Sequence, residues 1–343
     1  MFRKSLLILI TATLLASCIK TGLVLPSATG TRFEILVVMD NAHWKAPSGR
    51  ALIALLDQDM PALPQAEPML SIIHCQHNEF GDILKPTRNI LMVEIDSRFE
   101  KPAIQYGKNS WSQPQSTVKI QAANDDAMVE LLKQYGQKIL DYFIVTERER
   151  QILMSRNTVN LKAKQEVEKI FGIQVDIPSE LSKTSHTEDF YWATNDHART
   201  RKDLVIYSYP YTDKNTFTEA YLIAKRDSIM KQYITGELAG SYMGTELVHA
   251  QPILKEINLN QTYCMEMKGL WRMFGGASMG GPFFSHTRVD EINKRVITVE
   301  GFVFAPGTKK RNHIRQMEAV VYTVKLPQEI NEIHEVSVVA TKH

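Results

Sequence analysis

Several residue patterns are scarce in this chain, and each scarcity narrows what it can do. Only three of the 343 residues are cysteines, Cys18, Cys75 and Cys264. Neither sign of charge is in excess, with 40 Lys and Arg against 38 Asp and Glu. Without residues 1–17, which contain Arg3 and Lys4, the balance becomes 38 against 38. Such neutrality excludes the broad nucleic-acid binding that phosphate neutralisation drives. After the N-terminus no apolar run approaches the roughly 20 residues needed to cross a bilayer. The glycines of Gly275 to Gly281 lack the Lys-Ser/Thr of a phosphate loop and the spacing of a dinucleotide fingerprint. No cofactor is therefore expected. His74-Cys75-Gln76-His77 resembles a metal cluster, but on a strand positions 74 and 77 face opposite sides and no second ligand pair is evident, so no metal is expected.

What is present is concentrated at the start. Arg3 and Lys4 precede an apolar stretch, Leu6 to Leu15, too short to span a membrane as a mature helix, and Leu15-Ala16-Ser17-Cys18 follows. An aliphatic residue, two small residues and a cysteine form a lipobox, in which the sulfur accepts a diacylglyceryl group. The pattern predicts a signal peptide over residues 1–17, its removal, and lipidation of Cys18, with enough acyl chains for stable anchoring. Ile19-Lys20-Thr21-Gly22 carries no acidic run of the kind that resembles a surface-export tag. The expected address is the outer membrane, lipid-anchored and facing the periplasm. Residues 18–30 read as a small-residue tether. In that oxidising compartment Cys75 and Cys264 either pair or remain buried free thiols, and sequence spacing does not choose.

The 326 residues that follow the leader suit two domains or one large one. Phe33 to Met39 reads as a buried strand, Arg50 to Gln58 as a helix, and Met69 to His77, Asn89 to Ile95 and Ser116 to Gln121 as strands. Asn124 is an N-cap candidate with Asp125 and Asp126 in the first turn, opening a helical pattern that persists, with a break near Asn157, to Phe171. Glu147-Arg148-Glu149-Arg150 reads as a solvated helix face. Further strands are expected at Phe190 to Thr194, Leu204 to Tyr209, Gln261 to Phe274 and Arg295 to Phe304. Helices are expected from Thr216, through a Thr216-x-x-Glu219 capping box, and over Thr308 to Lys325. The recurrence of strands followed by a helix predicts an α+β fold of antiparallel sheets with helices packed on one face. It also suggests two related halves, over residues 31–180 and 181–343.

Gly276-Ala277-Ser278-Met279-Gly280 matches the G-x-S-x-G elbow that lifts a nucleophilic serine in α/β-hydrolases, with His286 and Asp290 nearby in sequence. The elbow must lead into a helix, yet Pro282-Phe283-Phe284 follows. A glycine loop allowing close backbone approach is therefore the favoured reading. The stretch from Trp271 to Arg315 is dense in aromatic and charged residues: Trp271, Arg272, His286, Arg288, Glu300, Lys310, Arg311 and Arg315. Lys309-Lys310-Arg311 stands at the expected start of a helix, where cations oppose the macrodipole, which implies an anion or acidic partner nearby.

Five segments carry a family resemblance: Leu63-Pro64-Gln65-Ala66-Glu67-Pro68, Trp111 to Gln115 (WSQPQ), Gly269 to Met273 (GLWRM), Met279 to Phe283 (MGGPF) and Glu300 to Pro306 (EGFVFAP). Together they resemble the uncharacterised Bacteroidota lipoprotein family catalogued as domain of unknown function 4837. The resemblance implies an envelope lipoprotein and supplies no catalytic residues. The function expected is a membrane-anchored, periplasm-facing binding or scaffold module for another envelope protein or a cell-wall or glycan ligand. Trp271 to Arg315 would form its contact surface. The alternative is a serine hydrolase using Ser278.

Overall fold

A computed structural model describes residues 25–276 and 278–330 of the chain. The leader and Cys18 lie outside those residues. The fold is α+β, built on two sheets.

The first half holds β1 (Glu34–Val38), α1 (Asn41–Trp44), α2 (Pro47–Leu56), β2 (Ser71–Cys75), β3 (Asn89–Ile95), β4 (Ala103–Lys108), β5 (Ser116–Ala122) and α3 (Asp125–Ser155). Its sheet runs β2-β1-β3-β5-β4. Pairings β1–β2, β1–β3 and β3–β5 are parallel and β4–β5 is antiparallel, so this smaller sheet is mixed. Central parallel strands buried on both faces read as continuous apolar runs, which is why EILVV was legible. Ile35, Val37, Leu91, Val93, Val118 and Ile120 pack under α2 and α3. Leu36, Val38 and Ile90 face the opposite side, beneath Phe80, Leu84 and Trp111. The expected cap is present: Asn124 Oδ1 accepts the Ala127 N–H at 2.9 Å. The described end of the expected tether is not free chain. Ala28 N donates to Gln113 O at 3.0 Å and Thr29 N to Pro86 O at 2.9 Å, docking these residues on the first half.

The second half begins with α4 (Leu161–Phe171), capped by Asn160 and stopped by Gly172 at φ 63°. It continues through β6 (Lys183–His186), β7 (Phe190–Thr194), β8 (Arg201–Pro210), α5 (Glu219–Tyr233), β9 (Tyr242–Thr245), β10 (Ile253–Leu259), β11 (Thr262–Phe274), β12 (Gly280–Asp290), β13 (Arg295–Phe304) and α6 (Arg311–Val321). The sheet order β10-β11-β12-β13-β8-β7-β6, with β9 added on β11, is antiparallel throughout. Helices cover both its faces here, not one. Leu204, Ile206, Ile297 and Val299 pack against α4 and α6, whereas Val205, Tyr207, Val296 and Phe302 pack toward α5. The two halves share a grammar of strands and helices, but their sheets differ in order and direction. Because α4 and Ile173 to Leu181 belong to the second core, packing divides the chain near residue 159, ahead of the boundary expected at 180. The capping box at Thr216 does not form. Asp213 instead accepts the Asn215 N–H and turns 214–217 into a 3-10 segment, which delays α5 to Glu219.

Candidate functional site

The contact surface expected from Trp271 to Arg315 is turned inward. Arg226, from α5, donates to both carboxylate oxygens of Glu300 at 2.8 and 2.7 Å, and both side chains are fully buried. The Arg226 guanidinium also lies 3.9 Å from the centroid of Phe283. Arg288 makes a paired contact with Glu329 at 2.6 and 3.1 Å. Arg315 donates to Glu318 at 2.8 Å. Trp271 Nε1 donates to Val303 O at 3.2 Å, and its buried ring lines a pocket of about 120 Å³ with Met243, Met273 and Met279. Of the eight residues only Arg272 keeps an appreciably open side chain, 43% exposed, and it lies against Glu246 at 3.2 Å. These charges are paired with counter-charges of the same chain.

Ser278 lies in the hairpin between β11 and β12, with no helix behind it, so the elbow context is missing. Among the described residues no histidine hydrogen-bonds its hydroxyl. Asp290 is taken by Arg295 at 2.9 Å and Asn293 at 2.8 Å. His286 meets Glu266 at 3.4 Å, and Tyr322 donates to the same Glu266 oxygen at 2.8 Å. Burial depresses the His286 pKa below its ordinary value. Burial also pushes Glu266 up, but hydrogen bonds from His286, Lys268 and Tyr322 outweigh it and hold the carboxyl well below the usual range. The glycines serve close approach: a Cβ on Gly281 would stand 2.0 Å from Val303 O.

The anion implied by Lys309-Lys310-Arg311 is within the chain itself. Glu67, 2% exposed, accepts the backbone N–H of Lys310 at 2.6 Å and of Arg311 at 3.1 Å, capping α6 from the other half. Its neighbours complete the dock. Arg311 donates to Pro68 O at 2.7 Å, and Lys310 Nζ approaches Gln65 Oε1 at 3.3 Å. Met60, Leu63 and Met69 seat the same segment on the second core. A second bridge joins α3 to α6, where Arg148 meets Glu318 at 3.1 Å. The run Glu147 to Arg150 is thus not a solvated face. Glu147 is fully buried and accepts from Asn89 at 2.7 Å and Arg150 at 2.6 Å.

Between the halves this seam leaves a cleft of about 320 Å³, lined by Arg32, Gln151, Met154, Pro178, Glu180 and Val320 among others. Gln151 is 5% exposed, and neither its amide nitrogen nor its oxygen has a hydrogen-bond partner among the described residues. The sequence offered no signal for this residue, which directly follows the charged run Glu147 to Arg150 on α3. Glu67, by contrast, was inside a segment already marked by resemblance. Elsewhere His74 donates Nε2–H to Met39 O at 2.7 Å and stacks on Trp44 at 4.1 Å. Cys75 and Cys264 are both buried free thiols.

Residues 28–156 match a family model described as Domain of unknown function (DUF8532). No curated protein matches the chain. Among solved structures, a point mutant of protein Mog1 is 10% identical and covers 45% of this chain and 90% of its own, with a TM-score of 0.28. The Saccharomyces cerevisiae Ran-binding protein Mog1p is 11% identical at the same coverage, with a TM-score of 0.27. Both likenesses are too slight to argue from. Residues 160–323, which supply the antiparallel sheet and the α6 side of the seam, match Domain of unknown function (DUF4837), whereas the Leu63–Pro68 and Trp111–Gln115 segments that carried part of that resemblance lie in the other matched stretch.

Proposed function

We propose that this chain is a membrane-anchored lipoprotein of the bacterial envelope, facing the periplasm. In this reading it catalyses no reaction and binds an envelope protein or cell-wall ligand in the cleft at its seam. The lipobox supports the anchor. The cleft carries the binding part of the reading: domain junctions are where ligand sites concentrate, and this one holds a buried amide with both hydrogen-bonding ends unspent. The acids and bases of the Trp271–Arg315 stretch are instead spent on each other, and a general base must reach the proton it removes.

Two experiments test this reading. Cys18→Ser should abolish incorporation of labelled palmitate and release the chain from membranes; continued membrane retention refutes the anchor. A photo-crosslinking residue at Met154, half-exposed on the cleft rim, should capture a discrete species in intact cells. The same residue at exposed Ile83, outside the cleft, should not. Equal capture at both positions, or none at Met154, refutes the cleft.

A further inference from the structure

The polar groups of the cleft are unevenly spent. Arg32 lines one wall, and among the described residues no carboxylate lies within ion-pairing distance of it. The acid on the wall, Glu180, is already held by Lys202 Nζ at 2.6 Å and by Gln316 Nε2 at 2.7 Å. One positive charge is therefore left over. Gln151 adds a donor and an acceptor on a single planar amide. Its neighbours along the chain do not answer it: Ser155 donates to Ile152 O at 2.9 Å and Thr158 to Ser155 O at 3.3 Å. The remaining wall is small and apolar at Pro178, Ala319 and Val320.

We infer that the cleft binds the carboxy-terminal end of a peptide. The terminal carboxylate meets Arg32, the N–H and carbonyl of the penultimate residue meet Gln151, and small apolar side chains rest on Ala319 and Val320. The N–H and C=O of one extended residue point the same way and answer a carboxamide group for group, the N–H to Oε1 and the carbonyl to Nε2. A sugar hydroxyl answers either end but leaves the guanidinium without an anion. A phosphate answers Arg32 but lacks the paired N–H and carbonyl that match the carboxamide group for group. The volume, about 320 Å³, is at the small end for ligand clefts, on the scale of about two small residues. The inference rests on the cleft being the ligand site.

The test is binding of N-acetyl-dialanine, and of the same dipeptide with an amidated terminus, to the full mature chain by calorimetry. The free acid is expected to bind about tenfold more tightly than the amide, because its bond to Arg32 is charge-assisted. Arg32→Gln should erase that difference, weakening the free acid more than the amide. Gln151→Leu should weaken both peptides about tenfold without lowering the thermal midpoint, since it removes an unpartnered polar group. Equal binding of acid and amide, or no binding of either at millimolar concentration, overturns the inference. Displacement of the acid by inorganic phosphate or N-acetylglucosamine at equal concentration also overturns it. A discrete adduct at Met154 without peptide binding would sink the peptide alone; absence of the adduct would sink the cleft.

Discussion

Replacing Glu67 separates the cap from the charge it carries. Its two oxygens accept the N–H groups of Lys310 and Arg311, two of the donors that a helix start leaves without partners. Glu67→Ala orphans both at a buried position, and each orphaned buried donor costs about 1–3 kcal/mol. It also leaves Lys310 and Arg311, 5% and 8% exposed, with their charges at the positive end of the α6 dipole. That charge interaction is worth about 0.3–1 kcal/mol, or up to about 2 when partly buried. The two contributions are not additive, and together they give a loss of about 3–5 kcal/mol. Glu67→Gln keeps one acceptor oxygen and removes the charge, so about 1–2 kcal/mol should be lost. Urea denaturation of the mature chain, followed by tryptophan fluorescence, reads both values. A loss below about 1 kcal/mol for the alanine variant, or no difference between the two variants, refutes the reasoning.

Breaking the Arg226–Glu300 pair by Glu300→Gln should cost about 3–5 kcal/mol, and Arg226→Met with Glu300→Leu should recover most of it; a single variant within about 1 kcal/mol of wild type refutes that account of the core. Acid should destabilise the chain in two steps, because His286 and Glu266 both bind their protons at higher pH unfolded than folded. The unfolding free energy is expected to fall below about pH 6.5 through His286 and further below about pH 4.3 through Glu266. His286→Phe should shrink the upper step, which His313, also depressed by burial, shares, and should reduce the lower step by removing a bond that holds Glu266 down; a wild-type curve flat between about pH 6.5 and 5 refutes the assignment. Burial pushes the Cys264 thiol up to about 12 and raises Cys75 as well, so neither should react with a thiol reagent until denaturant is added. Rapid labelling of the native chain refutes their burial.

Much of the fold was readable because its signals are local. Asn124 with two acids behind it marked the start of α3, and the FEILVV run marked a parallel strand buried on both faces. Strand β12 was missed. It follows two glycines, opens on two more and contains Pro282, and its buried run Gly281 to Arg288 mixes Phe283 with Ser285, His286 and Arg288. No period of two survives when helices cover both faces of a sheet. The cap of α5 was misplaced because two overlapping signals, at Asp213 and Thr216, competed for one turn, and the earlier one won.

The charged stretch misled for a related reason. Charge density indicates exposure only when the counter-charges are near in sequence, and here, Arg315–Glu318 aside, they are remote: Arg226 and Glu300 are 74 positions apart, and Glu67 and Lys310 are 243 apart. A local window sees unpaired cations, and a surface is the natural conclusion. The dipole argument fared better because it asked for a specific missing object, an anion at the start of α6, without fixing its source. The Leu63–Pro68 segment provides it. Pro64 and Pro68 keep the segment from continuing as helix, and Met60, Leu63 and Met69 anchor it on the second core, so Glu67 arrives extended and fixed in place. The same contact joins two separate family matches, since Glu67 lies in residues 28–156 and Lys310 in residues 160–323.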